Sequence, residues 1–309
     1  MNKALITGIN GFVGGYLLEE LHAQGYEVVG TGSEEQGKGD RYFQMDVTQL
    51  ERVREVLSEQ KPTHIFHLAG ISTPRFAEKN PELTFAVNVE GTKHLLEAAS
   101  HLSEKPRILI VSSSLIYGNP SYLPMDEKHP LDPKSVYGKS RIEQEKVVEG
   151  YRDRLPFLIV TRSFNHTGPG QDTNMIVPKI ISQMWKIKHG ESQYIELGDV
   201  ELKRDISHVR DVVKAYRKLL EQDKWQGVCN VCRGESISLK DIAEYAKVKA
   251  GLDMPLETIL RVNQDFLNPD EPKNITGDNT LLKHVIDWDI VYPYPSLFDD
   301  ISDSFSTKV

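Results

Sequence analysis

Cysteine is nearly absent. The chain has 2 in 309 residues, too few for a disulfide framework. Cys229 and Cys232 form one C-x-x-C in the stretch GVCNVCRGE, but a structural zinc takes four ligands. The alternating apolar pattern there reads as a strand with two cysteines, and no metal site is expected. No apolar run approaches the roughly 18 residues of a membrane span. The first residues, MNKALITGINGF, lack the apolar core of a secretory signal. No membrane partner is expected, and a cytoplasmic location is the default. Positive charge is not in excess either. The formal net charge is -8, so no basic field invites nucleic acid or an anionic membrane. An anionic ligand has to be held by a local cluster of donors. There is no internal repeat and no low-complexity segment. What remains is ordinary for a soluble globular chain: 39% hydrophobic and 27% charged residues, long enough to bury one large core or two moderate ones.

The N-terminal half alternates strand-like and helix-like pieces. Lys3–Thr7 is a short apolar run. Phe12, Leu17, Leu18 and Leu21 then recur at helical spacing, and Gly25 closes that helix. Residues 27–30 read as a second strand, 50–60 as a helix, 63–69 as a third strand and 107–112 as a fourth. A further strand over 155–162 follows a long helix. This alternation predicts an α/β fold with a doubly wound parallel sheet. The second half is patchier, with helices over 178–189 and 209–222 and prolines at 293 and 295.

Between the first strand and the first helix, Gly8, Gly11 and Gly14 form G-x-x-G-x-x-G. Glycines there allow a tight turn, close backbone approach to a pyrophosphate and tight helix–strand packing. The helix N-terminus, starting at Phe12 and Val13, presents free N–H groups to the anion. The flanking strand and helix are the context that this Rossmann motif requires. An acidic residue at the tip of the second strand would favour NAD. Here Gly30-Thr31-Gly32-Ser33 places nothing negative at the tip, and no arginine follows to attract a 2′-phosphate. NADPH or NADH is therefore expected, with Ser33 near the adenosine; Glu34 and Glu35 just beyond leave the preference open. A dinucleotide-binding domain is expected over 1–165, with parts of 205–235 returning to it. A smaller α/β substrate lobe is expected mainly over 166–309.

Ser112-Ser113-Ser114-Leu115-Ile116-Tyr117-Gly118 follows the fourth strand, and Ser135-Val136-Tyr137-Gly138-Lys139-Ser140-Arg141 opens a helix about 20 residues later. Carbonyl reduction needs a proton donor beside the oxygen that gains charge. A tyrosine serves if a nearby cation favours its phenolate, and a serine hydroxyl can bond the same oxygen. Glycine loop, serine strand and tyrosine helix in this order resemble an extended short-chain dehydrogenase/reductase of the nucleotide-sugar-modifying kind, over nearly the whole length. That resemblance implies catalytic roles for Ser113, Tyr137 and Arg141. The family carries lysine four residues after the tyrosine, where this chain has Arg141. Lys139 is about 200° around the helix from the tyrosine and points away. Arginine stays charged and offers a five-donor fork, so it can hold the nicotinamide ribose, although it is not equivalent to lysine. The resemblance also implies cofactor contacts at Asp46 and Val47, at Leu68-Ala69-Gly70 after His67, and at Asn88. A turn-capping role for Asp46 and core packing for His67 are the plain alternatives.

Residues 162–171, RSFNHTGPGQ, leave a strand for a Gly/Pro loop, where ligands bind in doubly wound sheets. The loop's polar side chains can bond a sugar or its diphosphate. It resembles the corresponding loop of GDP-4-keto-6-deoxy-D-mannose reductases, and dehydratases of GDP-mannose carry a related Asn-His loop. The resemblance implies substrate contacts at Asn165, His166 and Lys179, a diphosphate clamp at Arg204 in the KRDISHVRD segment, and a ribose contact at Glu271. Asn268 stands where relatives often have arginine. Dehydratases also place a glutamate two residues before the tyrosine of the strand-end motif; here Leu115 stands there. The expected reaction is NAD(P)H-dependent reduction of GDP-4-keto-6-deoxy-D-mannose to GDP-D-rhamnose. A 4-epimerase or 4,6-dehydratase of the same family is the alternative, and a non-catalytic dinucleotide sensor is the alternative of another class. The family further suggests a homodimer through segments near 80–103 and 135–153.

Overall fold

A computed structural model describes residues 2–223, 225–268 and 271–306. The chain begins with β1 (Lys3–Thr7), α1 (Phe12–Ala23), β2 (Glu27–Gly32), β3 (Arg41–Gln44), α2 (Leu50–Gln60) and β4 (His64–His67). Two short helices, α3 (Pro74–Lys79) and α4 (Pro81–Phe85), run through a π-helical turn at Ala86–Glu90 into α5 (Gly91–Ser100). Then come β5 (Arg107–Ser113), α6 (Val136–Glu149) and β6 (Leu158–Ser163). The remainder supplies β7 (Asn165–Thr167), α7 (Ile176–Lys188), β8 (Ile195–Leu197), β9 (Lys203–His208), α8 (Val209–Glu221), β10 (Gly227–Val231) and β11 (Ser236–Ser238). It ends with α9 (Leu239–Ala250), α10 (Leu256–Ile259), β12 (Leu260–Val262), β13 (Asn274–Ile275), α11 (Thr280–Ile286) and α12 (Tyr294–Ser306).

Seven of these strands form one sheet in the order β10-β6-β5-β4-β1-β2-β3, with every pairing parallel. Successive strand residues face opposite sides. Ile6, Val28, Phe66, Leu109 and Ile159 pack beneath α1 and α8, while Leu5, Val29, Ile65, Ile110 and Val160 pack beneath α2 and α5. Burial on both faces is why these strands read as near-continuous apolar runs. The doubly wound sheet expected from the sequence is thus present. β3 was not foreseen, because four residues at a sheet edge carry little pattern. β10 joins β6 at the other edge. Cys229 lies in β10, but the strand ends at Val231, so Cys232 falls just outside it; both thiols are buried and free.

After β5 and β6, the chain builds a second set of strands. β9 is flanked by β11 and β13 and also pairs β7, while β8 pairs β12. Apolar residues of α7, α9 and α12 close over them, with Ile180, Met184, Ile242, Leu297 and Phe298 at the centre. Among the described residues, no helix is long and apolar enough to cross a membrane.

The chain order reverses direction between β1 and β4, and ligands of doubly wound sheets bind outside the strand ends at such a switch point. Gly8 follows β1 there and Leu68-Ala69-Gly70 follows β4.

Candidate active site

The two loops at the switch point touch. A Cβ on Gly8 would stand 2.9 Å from the Cα and N of Ala69, and Gly8 has φ +69°, so only glycine fits. Gly14 allows the helix to press on the preceding turn, since a Cβ there would lie 2.3 Å from the Ile9 carbonyl oxygen. Gly11 differs: a Cβ would meet only the Gly8 oxygen, at 3.3 Å. Gly11 also caps α1 with extended backbone and no side-chain cap. Phe12 and Val13, both half-buried, begin the helix. Gly11 offers the first-turn N–H groups no side-chain cap, which suits a pyrophosphate, and the Lys38 ammonium reaches the same turn, 3.0 Å from where a Cβ on Gly15 would stand.

At the tip of β2, the fold corrects the sequence reading. Ser33 is exposed, and its carbonyl accepts from Gln44 Nε2 at 2.9 Å. The loop beyond it folds back because Asn10 clamps it. Asn10 Nδ2 donates to Gln36 O at 3.0 Å and Glu34 Oε2 at 3.2 Å, while its Oδ1 accepts from Lys38 N at 3.2 Å. The Glu34 carboxylate lies so close to the strand that a Cβ on Gly32 would be 2.5 Å from it. A negative group does stand at the tip. Asp46 Oδ1 accepts from Thr48 N and Oγ1 at 2.9 and 2.8 Å, which closes the turn into α2. Val47 is buried, and its carbonyl meets His94 Nδ1 at 3.1 Å.

A buried polar chain ties β1, β4, α5 and α6 together. Thr92 Oγ1 donates to Asn88 O at 2.8 Å and accepts from Gln144 Nε2 at 2.8 Å. Its hydrogen is therefore used, and His67 Nε2, 3.0 Å away, must be the donor to it. Thr7 Oγ1 accepts from Ala69 N at 3.1 Å and donates to His67 Nδ1 at 2.8 Å. Both nitrogens of His67 are thus bonded, and burial favours the neutral ring in which Nδ1 accepts. Burial pushes it down to about 3, and the nearby Arg141 charge acts in the same direction. Asn88, inside the π-helical turn, donates to Ile71 O at 3.1 Å and Ser140 Oγ at 3.0 Å and accepts from Ile71 N at 2.8 Å. It thereby fixes the loop after β4 to the helix that carries Tyr137. Such turns recur at functional sites.

Ser113 ends β5 and Tyr137 stands in the first turn of α6. Ser113 Oγ accepts from Leu115 N at 3.2 Å. A Cβ on Gly138 would lie 2.8 Å from the Leu115 carbonyl oxygen, so the turn bearing Leu115 packs on the first turn of α6. One helical turn beyond Tyr137, the Arg141 guanidinium carbon lies 5.2 Å from the tyrosine ring centroid. Arg141 is only 3% exposed. Its Nη1 donates to Val111 O at 3.0 Å and Gln144 Oε1 at 2.9 Å, and its buried Nε has no protein partner among the described residues. An unpaired donor on a buried cation beside Gly70 and Asn88 suits a polar ligand group such as a ribose hydroxyl. The neighbouring Ser112 faces the other way, to Glu145 at 2.7 Å.

Sequence reasoning missed Gln144, Thr92, Thr7 and Tyr216. Tyr216 OH lies 2.6 Å from Ser163 Oγ, and Ser163 pairs with Ser113 across the sheet. Burial raises the Tyr216 hydroxyl to about 12. Each acts through a partner on another element or another turn, so no local signal marked these roles.

On the substrate side, Asn165 is exposed and His166 half-buried on β7. His166 Nδ1 lies 3.0 Å from Phe164 O. Burial lowers its proton affinity, and only the Phe164 carbonyl opposes that. Arg162, expected in the sugar loop, turns to the opposite face instead. It is buried against Glu145, with Nη2 2.8 Å from Oε2, and donates to Tyr117 OH at 3.2 Å. Thr167 and Gln171 bond within their loop, 2.7 Å apart. Lys179 Nζ lies 3.7 Å from the Phe266 ring centroid, and burial lowers its proton affinity. Arg204 and Glu271 meet one another in an ion pair, while Arg204 also donates to Lys203 O at 2.8 Å and Pro272 O at 3.0 Å. A buried guanidinium needs acceptors, so a diphosphate at Arg204 would have to share it with, or displace, Glu271.

These features put the chain among the extended short-chain dehydrogenases/reductases, enzymes that act on nucleotide sugars with NAD or NADP. More narrowly, it belongs to the GDP-mannose 4,6 dehydratase family, which it matches over residues 5–301. It is 29% identical to the GDP-6-deoxy-D-mannose reductase of Pseudomonas aeruginosa, with 93% of this chain and 91% of that protein covered. It is 26% identical to GDP-mannose 4,6 dehydratase 2 of Caenorhabditis elegans, with 96% of this chain and 87% of that protein covered. Among solved structures, the UDP-glucose 4-epimerase of Thermus thermophilus complexed with NAD has a TM-score of 0.86 and 25% identity, covering 99% of this chain and 100% of that one.

Proposed function

We propose that this chain reduces the 4-keto group of GDP-4-keto-6-deoxy-D-mannose to give GDP-D-rhamnose, using NADH or NADPH. Gly8, Gly11, Gly14 and the first turn of α1 would hold the pyrophosphate, and the dinucleotide when bound supplies the hydride. Asp46, Val47, Leu68, Ala69, Gly70 and Asn88 would line its adenosine and nicotinamide ends. Tyr137 would give its hydroxyl proton to the C4 oxygen, Ser113 would bond the same oxygen, and Arg141 would steady the tyrosine and the nicotinamide ribose. Asn165, His166, Lys179, Arg204 and Glu271 would receive the GDP-sugar.

The observation that carries reduction over dehydration is Leu115. It occupies the strand-end position where the resemblance implies the acid/base of a dehydratase, in a turn packed against the first turn of α6. Removing water from C6 without a placed proton donor forfeits roughly 10²–10⁴-fold. The keto-sugar has already lost that water. Nicotinamide absorbance should fall with the keto-sugar and stay flat with GDP-mannose, and Tyr137→Phe should remove about a hundredfold or more of that rate. Conversion of GDP-mannose to the keto-sugar without net cofactor consumption would make the chain a dehydratase, as the family match and the nematode relative suggest. We extend the reading to a cytoplasmic homodimer joined through 80–103 and 135–153, supported by the exposed Leu83 on α4. Sedimentation equilibrium showing only monomer would remove that extension.

A further inference from the structure

Resting on the reading of Arg141 as the cation beside Tyr137, we propose that Gly70 and Gln144 are positioning residues that adapt this site to an arginine. Gly70 leaves the space that the outer guanidinium nitrogen fills, and Gln144 holds the inner nitrogen. A Cβ on Gly70 would stand 2.7 Å from Arg141 Nη2, 3.3 Å from Nη1 and 3.0 Å from Asn88 Oδ1. Gly70 has no positive φ to explain it, so the requirement there is for space.

The far end of a side chain usually moves aside cheaply. Here it cannot. The guanidinium is planar, so fixing Nη1 fixes the plane and with it Nη2. Nη1 is fixed twice, by Val111 O at 3.0 Å from β5 and by Gln144 Oε1 at 2.9 Å. Gln144 is itself fully buried and its amide is committed to Thr92 Oγ1 at 2.8 Å. The other neighbour of the missing methyl, Asn88 Oδ1, accepts from Ile71 N at 2.8 Å and is equally committed. The fork is therefore held with Nη2 directed at the loop after β4, where the switch point opens.

A lysine at 141 would end about one bond short of the guanidinium nitrogens and would leave Gln144 Oε1 and the space beside Gly70 without a filling group. Gly70 and Arg141 should then be energetically coupled, and the coupling should disappear when the side chain is shortened.

The test is a double-mutant cycle on the purified full chain, with Gly70→Ala made alone and together with Arg141→Lys. The readouts are the dissociation constant for NADH and NADPH by fluorescence without sugar, kcat and KM with the keto-sugar, and the melting temperature. Overpacking by a methyl predicts that Gly70→Ala weakens cofactor binding by about tenfold or more in the Arg141 protein. The same change in the Arg141→Lys background should cost about fivefold less. If Gly70→Ala unfolds the protein only while Arg141 is present, the melting temperatures show the coupling instead. Equal cost, or unfolding, in both backgrounds overturns the proposal, because Gly70 then serves something other than the guanidinium. An Arg141→Met protein with wild-type rate would overturn the underlying reading and this proposal with it. An inactive Arg141→Met protein with equal Gly70→Ala costs removes this proposal alone.

Discussion

The proposed site depends most on Arg141, which stands where the resemblance implies a lysine. Arg141 is buried, carries a permanent charge and meets two protein acceptors, both through Nη1. A charge so placed is useful where a reaction gains negative character, as at a C4 oxygen during reduction. Removing a preorganised group of this kind costs about 10²–10³-fold. Arg141→Met is therefore expected to slow reduction by about a hundredfold or more. Arg141→Lys should keep measurable activity because the charge remains. Steady-state rates of both variants across pH provide the check; a folded methionine variant at the wild-type rate would make Arg141 a bystander.

At the scale of elements, the glycine loop and α1 separate two roles that the same residue type performs. A side chain at Gly14 would collide with backbone, the Ile9 carbonyl oxygen at 2.3 Å and its carbon at 2.6 Å. Gly14→Ala should thus destabilise the fold by about 1–3 kcal/mol, read by urea unfolding. A side chain at Gly11 meets only one atom, at 3.3 Å, and otherwise enters the space in front of the helix N-terminus. Gly11→Val should melt close to the wild type and lose most of its affinity for the dinucleotide. Unaltered affinity in the folded Gly11→Val protein would end the assignment of this loop to the pyrophosphate.

For the whole molecule, the buried chain from Thr7 through His67, Thr92 and Gln144 to Arg141 makes stability depend on pH. In the unfolded chain the His67 ring takes a proton near 6.5; in the fold, burial delays that to about 3. Between those values the unfolded state holds one more proton, so stability is lost as pH falls from 6.5 towards 3. The slope from this one ring is about 1.4 kcal/mol per pH unit. His67→Gln should lower overall stability yet flatten the acid side of the profile by about that slope. Unfolding free energies between about pH 7 and pH 4.5 would show it; identical slopes would mean that His67 is already protonated in the fold.

Periodicity and short motifs were enough for whatever is encoded within one element. The apolar runs at 3–7 and 107–112 had to be strands buried on both faces. Gly8, Gly11 and Gly14 had to lie between a strand and a helix, and Tyr137 and Arg141 had to share a helix face because they are four apart. Leu115 stood out only through the resemblance, which implies a glutamate two residues before the tyrosine in dehydratases. What the sequence could not contain was any partnership between elements. The acceptors of Arg141 come from β5 and from the next turn of α6, and the room for its fork comes from a glycine 71 positions earlier in the chain. Arg204 and Glu271 find each other across 67 positions. Arg162 turns away from the sugar loop because β6 alternates its faces and Glu145 waits on the opposite one. Glu34 reaches the tip of β2 only because Asn10 folds the intervening loop back. Local pattern determines which face of an element a residue occupies; which atom it meets there is decided by how the elements pack, and that depends on all of them at once.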